Sequence, residues 1–112
     1  MGGHYLNEQL NAKLKELNTA LNSYRKRGED FARARNKYAI ALRKEMLILR
    51  DKGMPATILS EVCKGDEKIA ELRLQRDIAD AKYKSAKEMI NGCKLEIKIL
   101  ESQIKTDWSN PN

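Results

Sequence analysis

The sequence predicts an all-α fold, a long antiparallel coiled-coil helical hairpin with a short connecting helix. Two heptad stripes, one in each half of the chain, predict the long helices. A Gly-Met-Pro break between them predicts the turn. The composition agrees. Charged residues make up 34% and aromatics 5%, a mix that suits long helices with a narrow apolar seam rather than a broad core. At 112 residues the chain has room for one domain, here spanning 5–108.

The opening residues 1–4, Met-Gly-Gly-His, read as a tag remnant or a disordered start, and His4 carries no expected role. The first helix is expected over 5–52, where there is no proline and one glycine, Gly28. Its seam runs Leu10, Leu14, Leu17, Leu21, Tyr24, Gly28, Phe31, Arg35, Tyr38, Leu42, Glu45, Leu49, at alternating spacings of four and three. Gly53 is a natural helix stop, and Pro55 suits the first position of a new helix. A short helix follows over 55–64, expected to cover the closed end with Ile58, Leu59 and Val62. Gly65 ends it. Asp66 is the expected N-cap of a second long helix over 66–108, with Glu67 in its positive first turn. That helix has the seam Ile69, Leu72, Arg76, Ala79, Tyr83, Ala86, Ile90, Cys93, Ile97, Leu100, Ile104. Residues 109–112 form a frayed tail.

A short linker favours an antiparallel pair. Three polar seam residues, Arg35, Glu45 and Arg76, are expected to fix its register. If Glu45 meets Arg73 and Arg76, then Gly28 meets Ile90, and Arg35 meets Asp80 and Tyr83. A carboxylate facing a guanidinium in a seam costs desolvation but selects one pairing.

Function must be sought on the faces turned away from the seam. The second long helix carries Leu74, Ile78, Ala81, Leu95 and Ile99 opposite its seam, and a helix apolar on two faces is expected to be buried on two. The simplest occupant is a second copy, giving a four-helix homodimer or a higher oligomer. Scattered surface leucines and a heterologous partner are the rival readings.

The net charge is +6, all of it from the first half. Residues 1–52 hold 12 Lys+Arg against 6 Asp+Glu, and residues 53–112 hold 10 of each. Lys26, Arg33, Lys37, Arg43, Lys44 and Arg50 face outward on the first helix. They are the candidate face for an acidic partner or for weak, sequence-independent binding of nucleic acid. A plain solvated helix face is the competing reading. Tyr24, Phe31 and Tyr38 lie in the seam, so base stacking is not expected.

No catalytic, cofactor or metal constellation stands out. The sequence lacks phosphate-cradling glycine loops and a His-Glu-x-x-His pair, and its one histidine lies at the start. Neither an enzyme activity nor a cofactor is expected. Cys63 and Cys93 are isolated thiols, which fits a reducing cytoplasm. Cys93 reads as a small buried hydrophobe and Cys63 as the more exposed of the two. No apolar run is long enough to span a bilayer, and a membrane role is not expected.

Several segments carry a resemblance. They are Leu42-Arg43-Lys44, the run from Leu49 through Gly53-Met54-Pro55 to Thr57, the run Ala70-Glu71-Leu72-Arg73-Leu74-Gln75-Arg76-Asp77-Ile78-Ala79, and the stretch from Tyr83-Lys84-Ser85-Ala86 to Ile104. Residues 38–108 resemble small helical early-region proteins of phages and prophages of Gram-positive bacteria. Such proteins are often encoded near single-strand annealing or single-strand-binding functions. The resemblance implies a role in the host cytoplasm, assisting a DNA-processing complex in recombination or replication. Inhibition of a host nuclease or anti-phage defence system is the alternative, and a structural scaffold the third. It carries over no functional residues, and residues 1–37 fall outside it.

Overall fold

A computed structural model of the chain describes residues 2–109. It is all-α, with three helices and no strand among the described residues: α1 Gly2–Asp51, α2 Ala56–Lys64 and α3 Glu67–Ser109. α1 takes in Gly2–His4, so helix replaces the disordered start expected there; Met1 and residues 110–112 lie outside the described residues.

Each boundary has a local cause. Gly53 adopts φ +93°, a conformation that L side chains rarely adopt. Its N–H donates to the Arg50 carbonyl at 3.0 Å, and the Met54 N–H donates to the Leu49 carbonyl at 3.1 Å. These two bonds close α1 as a Schellman motif. Pro55, at φ −60° and ψ 139°, caps α2 instead of forming its first helical residue. It has no N–H to lose, and its carbonyl accepts from the Ile58 N–H at 3.3 Å. Asp66 caps α3 as expected. Its Oδ2 accepts from the backbone N–H groups of Lys68 at 3.1 Å and Ile69 at 3.2 Å.

Two compact units divide the chain. One joins α1 as far as Lys26 with α3 from Lys84 onward. Its buried residues are Ala20, Ala86, Ile90 and Ile97, with Leu10, Leu17, Tyr24, Cys93, Leu100 and Ile104 half-buried around them. Lys13 ties α1 to α3 through an ion pair with Glu96 at 2.6 Å and also holds Glu16 at 3.0 Å. These two hydrogen-bonding carboxylates, Glu96 first, raise the lysine's pKa above its ordinary value.

The other unit is Arg27–Tyr83. Tyr38, Leu59, Cys63 and Ile69 are buried there. Phe31 and Tyr83 stack with ring centroids 6.1 Å apart. The Arg76 guanidinium lies 4.6 Å from the centre of the Tyr38 ring. Gly28 admits the Tyr83 ring; a Cβ at that position would stand 3.0 Å from Cε1 and 3.3 Å from Cζ.

The register differs from the expected one. Gly28 faces Tyr83 rather than Ile90, and Arg76 stacks on Tyr38 and bonds its neighbour Asp77 at 2.8 Å rather than Glu45. Glu45 lies near enough to the Cys63 thiol of α2 to raise its pKa, so its nearest shown partner is on α2. α2 buries Leu59 and Cys63 and leaves Ile58 and Val62 exposed, correcting the expectation that Ile58 and Val62 cover the end. A nine-residue helix buries one i,i+4 pair well, and here that pair is 59 and 63.

Arg35 is not a seam residue. It is exposed, with its guanidinium 5.5 Å from the Phe31 ring on the same helix. Leu14 and Leu21 are also exposed, while Lys13 and Ala20 turn inward. One residue advances a helix by ~100°, so a seam centred one position earlier moves these side chains to its rim.

Asp66, Gly92 and Gly28 give stability predictions. Asp66→Ala should cost ~1 kcal/mol in chemical denaturation, and Asp66→Asn far less, because Asn also caps. Gly92 has open space around it, so Gly92→Ala should stabilise by ~1 kcal/mol. Gly28→Val should instead destabilise by about 1–3 kcal/mol by pressing on the Tyr83 ring. A Gly28→Val midpoint at or above that of the unsubstituted chain would rule out the tight fit.

Candidate interaction site

The apolar residues that miss the core form the first candidate. On α3, Leu74 and Ile78 in the second unit are 51% and 46% exposed, and Leu95 and Ile99 in the first are 60% and 50% exposed. Ala81 and Gly92 are exposed between them. All eleven seam residues of α3 are buried or half-buried, so the four large side chains stand on the opposite side of a helix already covered on one. Each keeps about half its surface in water, forgoing on the order of 1 kcal/mol.

The second candidate is basic. Lys26, Arg33, Lys37, Arg43, Lys44 and Arg50 are all exposed, and among the described residues none takes part in an ion pair. The five from Arg33 onward belong to the second unit and cover about 25 Å of α1. Tyr24 and Phe31 are half-buried and Tyr38 buried, so this face offers charge without stacking surfaces. Two apolar residues, Ile40 and Leu47, are exposed among the cations.

The three polar seam residues do not form one cluster. Arg76 and Glu45 are half-buried and Arg35 is outside. What the sequence reading missed is the second exposed pair on α2, Ile58 and Val62, and the outward Leu14 and Leu21. Ala20, Ala34 and Ala41 recur at one heptad position and turn inward, a signal that the α1 seam is centred one residue earlier.

The cysteines exchange their expected places. Cys63 is fully buried at 0% exposure and Cys93 half-buried. Burial first, then the nearby Glu45 and Asp66 carboxylates, raise the Cys63 thiol pKa. Its folded-state pKa lies above the unfolded one. The stability tied to the neutral thiol is therefore full below the ordinary thiol range and falls as pH rises through it.

No group of three or more His, Cys, Asp or Glu that could hold a metal ion occurs among the described residues. No helix of the described residues is long and apolar enough to cross a membrane. The chain is a helical hairpin whose α3 exposes Leu74, Ile78, Leu95 and Ile99 and whose α1 exposes a run of cations. No family model matches the chain, and no curated protein and no solved structure matches it.

A thiol titration checks the exchange. In the folded chain Cys93 should react with a disulfide reagent while Cys63 stays silent, even at pH 9, until denaturant exposes it. Prompt reaction of both thiols would contradict the packing of α2.

Proposed function

We propose that this chain is a non-catalytic interaction protein that assists a DNA-processing complex in the cytoplasm of a phage's host. Its cationic α1 face holds nucleic acid weakly and without sequence preference, and its outer α3 face docks another protein chain. The observation that carries the reading is the separation of the two faces: unpaired exposed cations on α1, and four half-exposed leucine and isoleucine anchors on α3. Cations with no carboxylate to satisfy are free to displace counterions from phosphates. The phage setting and the link to recombination or replication come from the resemblance of residues 38–108.

The anchors support a second reading, in which the same α3 face blocks a host nuclease or defence protein. A basic hairpin does not mimic DNA, so such inhibition would act through a protein surface. Restored phage plating on a defended host, lost with Leu74→Glu/Leu95→Glu, would favour it. If plating is unchanged across a panel of defences, the second reading fails.

Fluorescence anisotropy with labelled single- and double-stranded DNA tests the first reading. Micromolar binding is expected at low salt, and neutralising about four phosphates should weaken duplex binding ~100-fold between 50 and 200 mM salt. Lys37→Glu/Lys44→Glu should reduce it further at every salt concentration. Absence of binding at low salt would make the α1 charge a solvated face and overturn the nucleic-acid part.

A further inference from the structure

The outer stripe of α3 reads the same chemically from either end. Its positions are Leu74, Ile78, Ala81, Ser85, Glu88, Gly92, Leu95 and Ile99, with spacings of four and three. Large apolar side chains occupy both ends, and small or polar ones the middle. An antiparallel two-fold axis between Ala86 and Lys87 therefore sets like against like. Leu74 meets the second copy's Ile99, and Ile78 meets its Leu95. Ala81 meets its Gly92, and Ser85 meets its Glu88. Every pair occurs twice, as a two-fold interface requires.

We infer that the chain occupying the outer α3 face is a second copy of this one, docked antiparallel in that register. The inference rests on the reading of this face as a docking surface and names its occupant. Three observations favour a second copy over an unrelated helix. The stripe complements itself. Its large side chains remain exposed in the single chain while the opposite seam is covered. The flanking charges also suit: Asp77 falls beside the second copy's Lys98, Lys82 beside its Met89, and Gln75 beside its Glu96, so no like charges are forced together.

A parallel pair is less well matched. It sets Glu88 against the second copy's Glu88 near the middle of the interface, and two facing carboxylates repel. The antiparallel register places Glu88 against Ser85 instead.

Cysteine cross-linking tests both the occupant and the register. In a Cys93→Ala background, with Cys63 buried, the double variant Ile78→Cys/Leu95→Cys should form a disulfide-linked dimer under copper-phenanthroline oxidation. Ile78→Cys alone should not, because in this register the two Ile78 positions are separated by about 25 Å of helix. Both substitutions are at exposed positions, and circular dichroism checks that helix is retained. Sedimentation equilibrium of the unsubstituted chain should give a dimer at tens of micromolar, and Leu74→Glu/Leu95→Glu a monomer. Cross-linking of Ile78→Cys alone would overturn the antiparallel register. A monomer at 100 μM with no cross-link in the double variant would overturn the second copy as occupant. The DNA titration would be unaffected by either result, so failure here is distinguishable from failure of the functional reading.

Discussion

Two helices share only one face, and that limit governs the rest of this molecule. A pair of helices covers a stripe on each and leaves the remaining circumference in water. Among the described residues eight apolar side chains are buried, three of them only alanine or cysteine, while fourteen large ones are exposed. The net stability of a domain is typically ~5–15 kcal/mol. Half-exposed leucines and isoleucines that each forgo on the order of 1 kcal/mol are a substantial fraction of that. Four of them, Leu74, Ile78, Leu95 and Ile99, stand on the side of α3 away from its seam, and five more, Leu14, Leu21, Ile40, Leu47 and Ile48, are exposed on α1.

The seam compensates for its small apolar content with directed polar contacts. Lys13 spans α1 and α3 to reach Glu96, and Arg76 lays its guanidinium on Tyr38 where the seam is aromatic. Neither contact is a buried ion pair, and no buried side-chain polar atom lacks a hydrogen-bond partner among the described residues. Cations at the edge of an apolar stripe cover it with their methylene stems while their charged ends stay near water, which avoids the desolvation cost of a charge in the core.

The helical segments were legible because heptads, glycines and caps are local. Gly53, Gly65 and Asp66 lie where their backbone chemistry demands, and every expected α3 seam residue is buried or half-buried. What the sequence did not resolve was rotation and register. Adjacent positions such as 13 and 14, or 20 and 21, both fit a stripe of period 3.5, and hydrophobicity alone favours leucine over alanine and lysine for the inward place. Close approach at Ala20 and the Lys13–Glu96 pair decide otherwise. The pairing of Glu45 with arginines failed for a related reason. The expected lid over the end turns Leu59 and Cys63 inward, and Glu45 lies near the Cys63 thiol instead of pairing with an arginine. Charge on α1 and apolar anchors on α3 were legible as residue types, and their exposure follows from helix geometry alone.

The placement of exposed cations on α1 and apolar side chains on α3 would have a consequence under the proposed function. α1 and α3 each have one side committed to the seam, so whatever binds outside α3 leaves the outer face of α1 open. Apolar contact is nearly independent of salt, whereas phosphate contact weakens steeply with it. A chain that docks through α3 and touches nucleic acid through α1 can therefore release one without the other. Had the cations been interleaved with the anchors on α3, docking would have had to desolvate them or exclude the nucleic acid. Under the proposed function, placing the two chemistries on separate helices would remove that conflict.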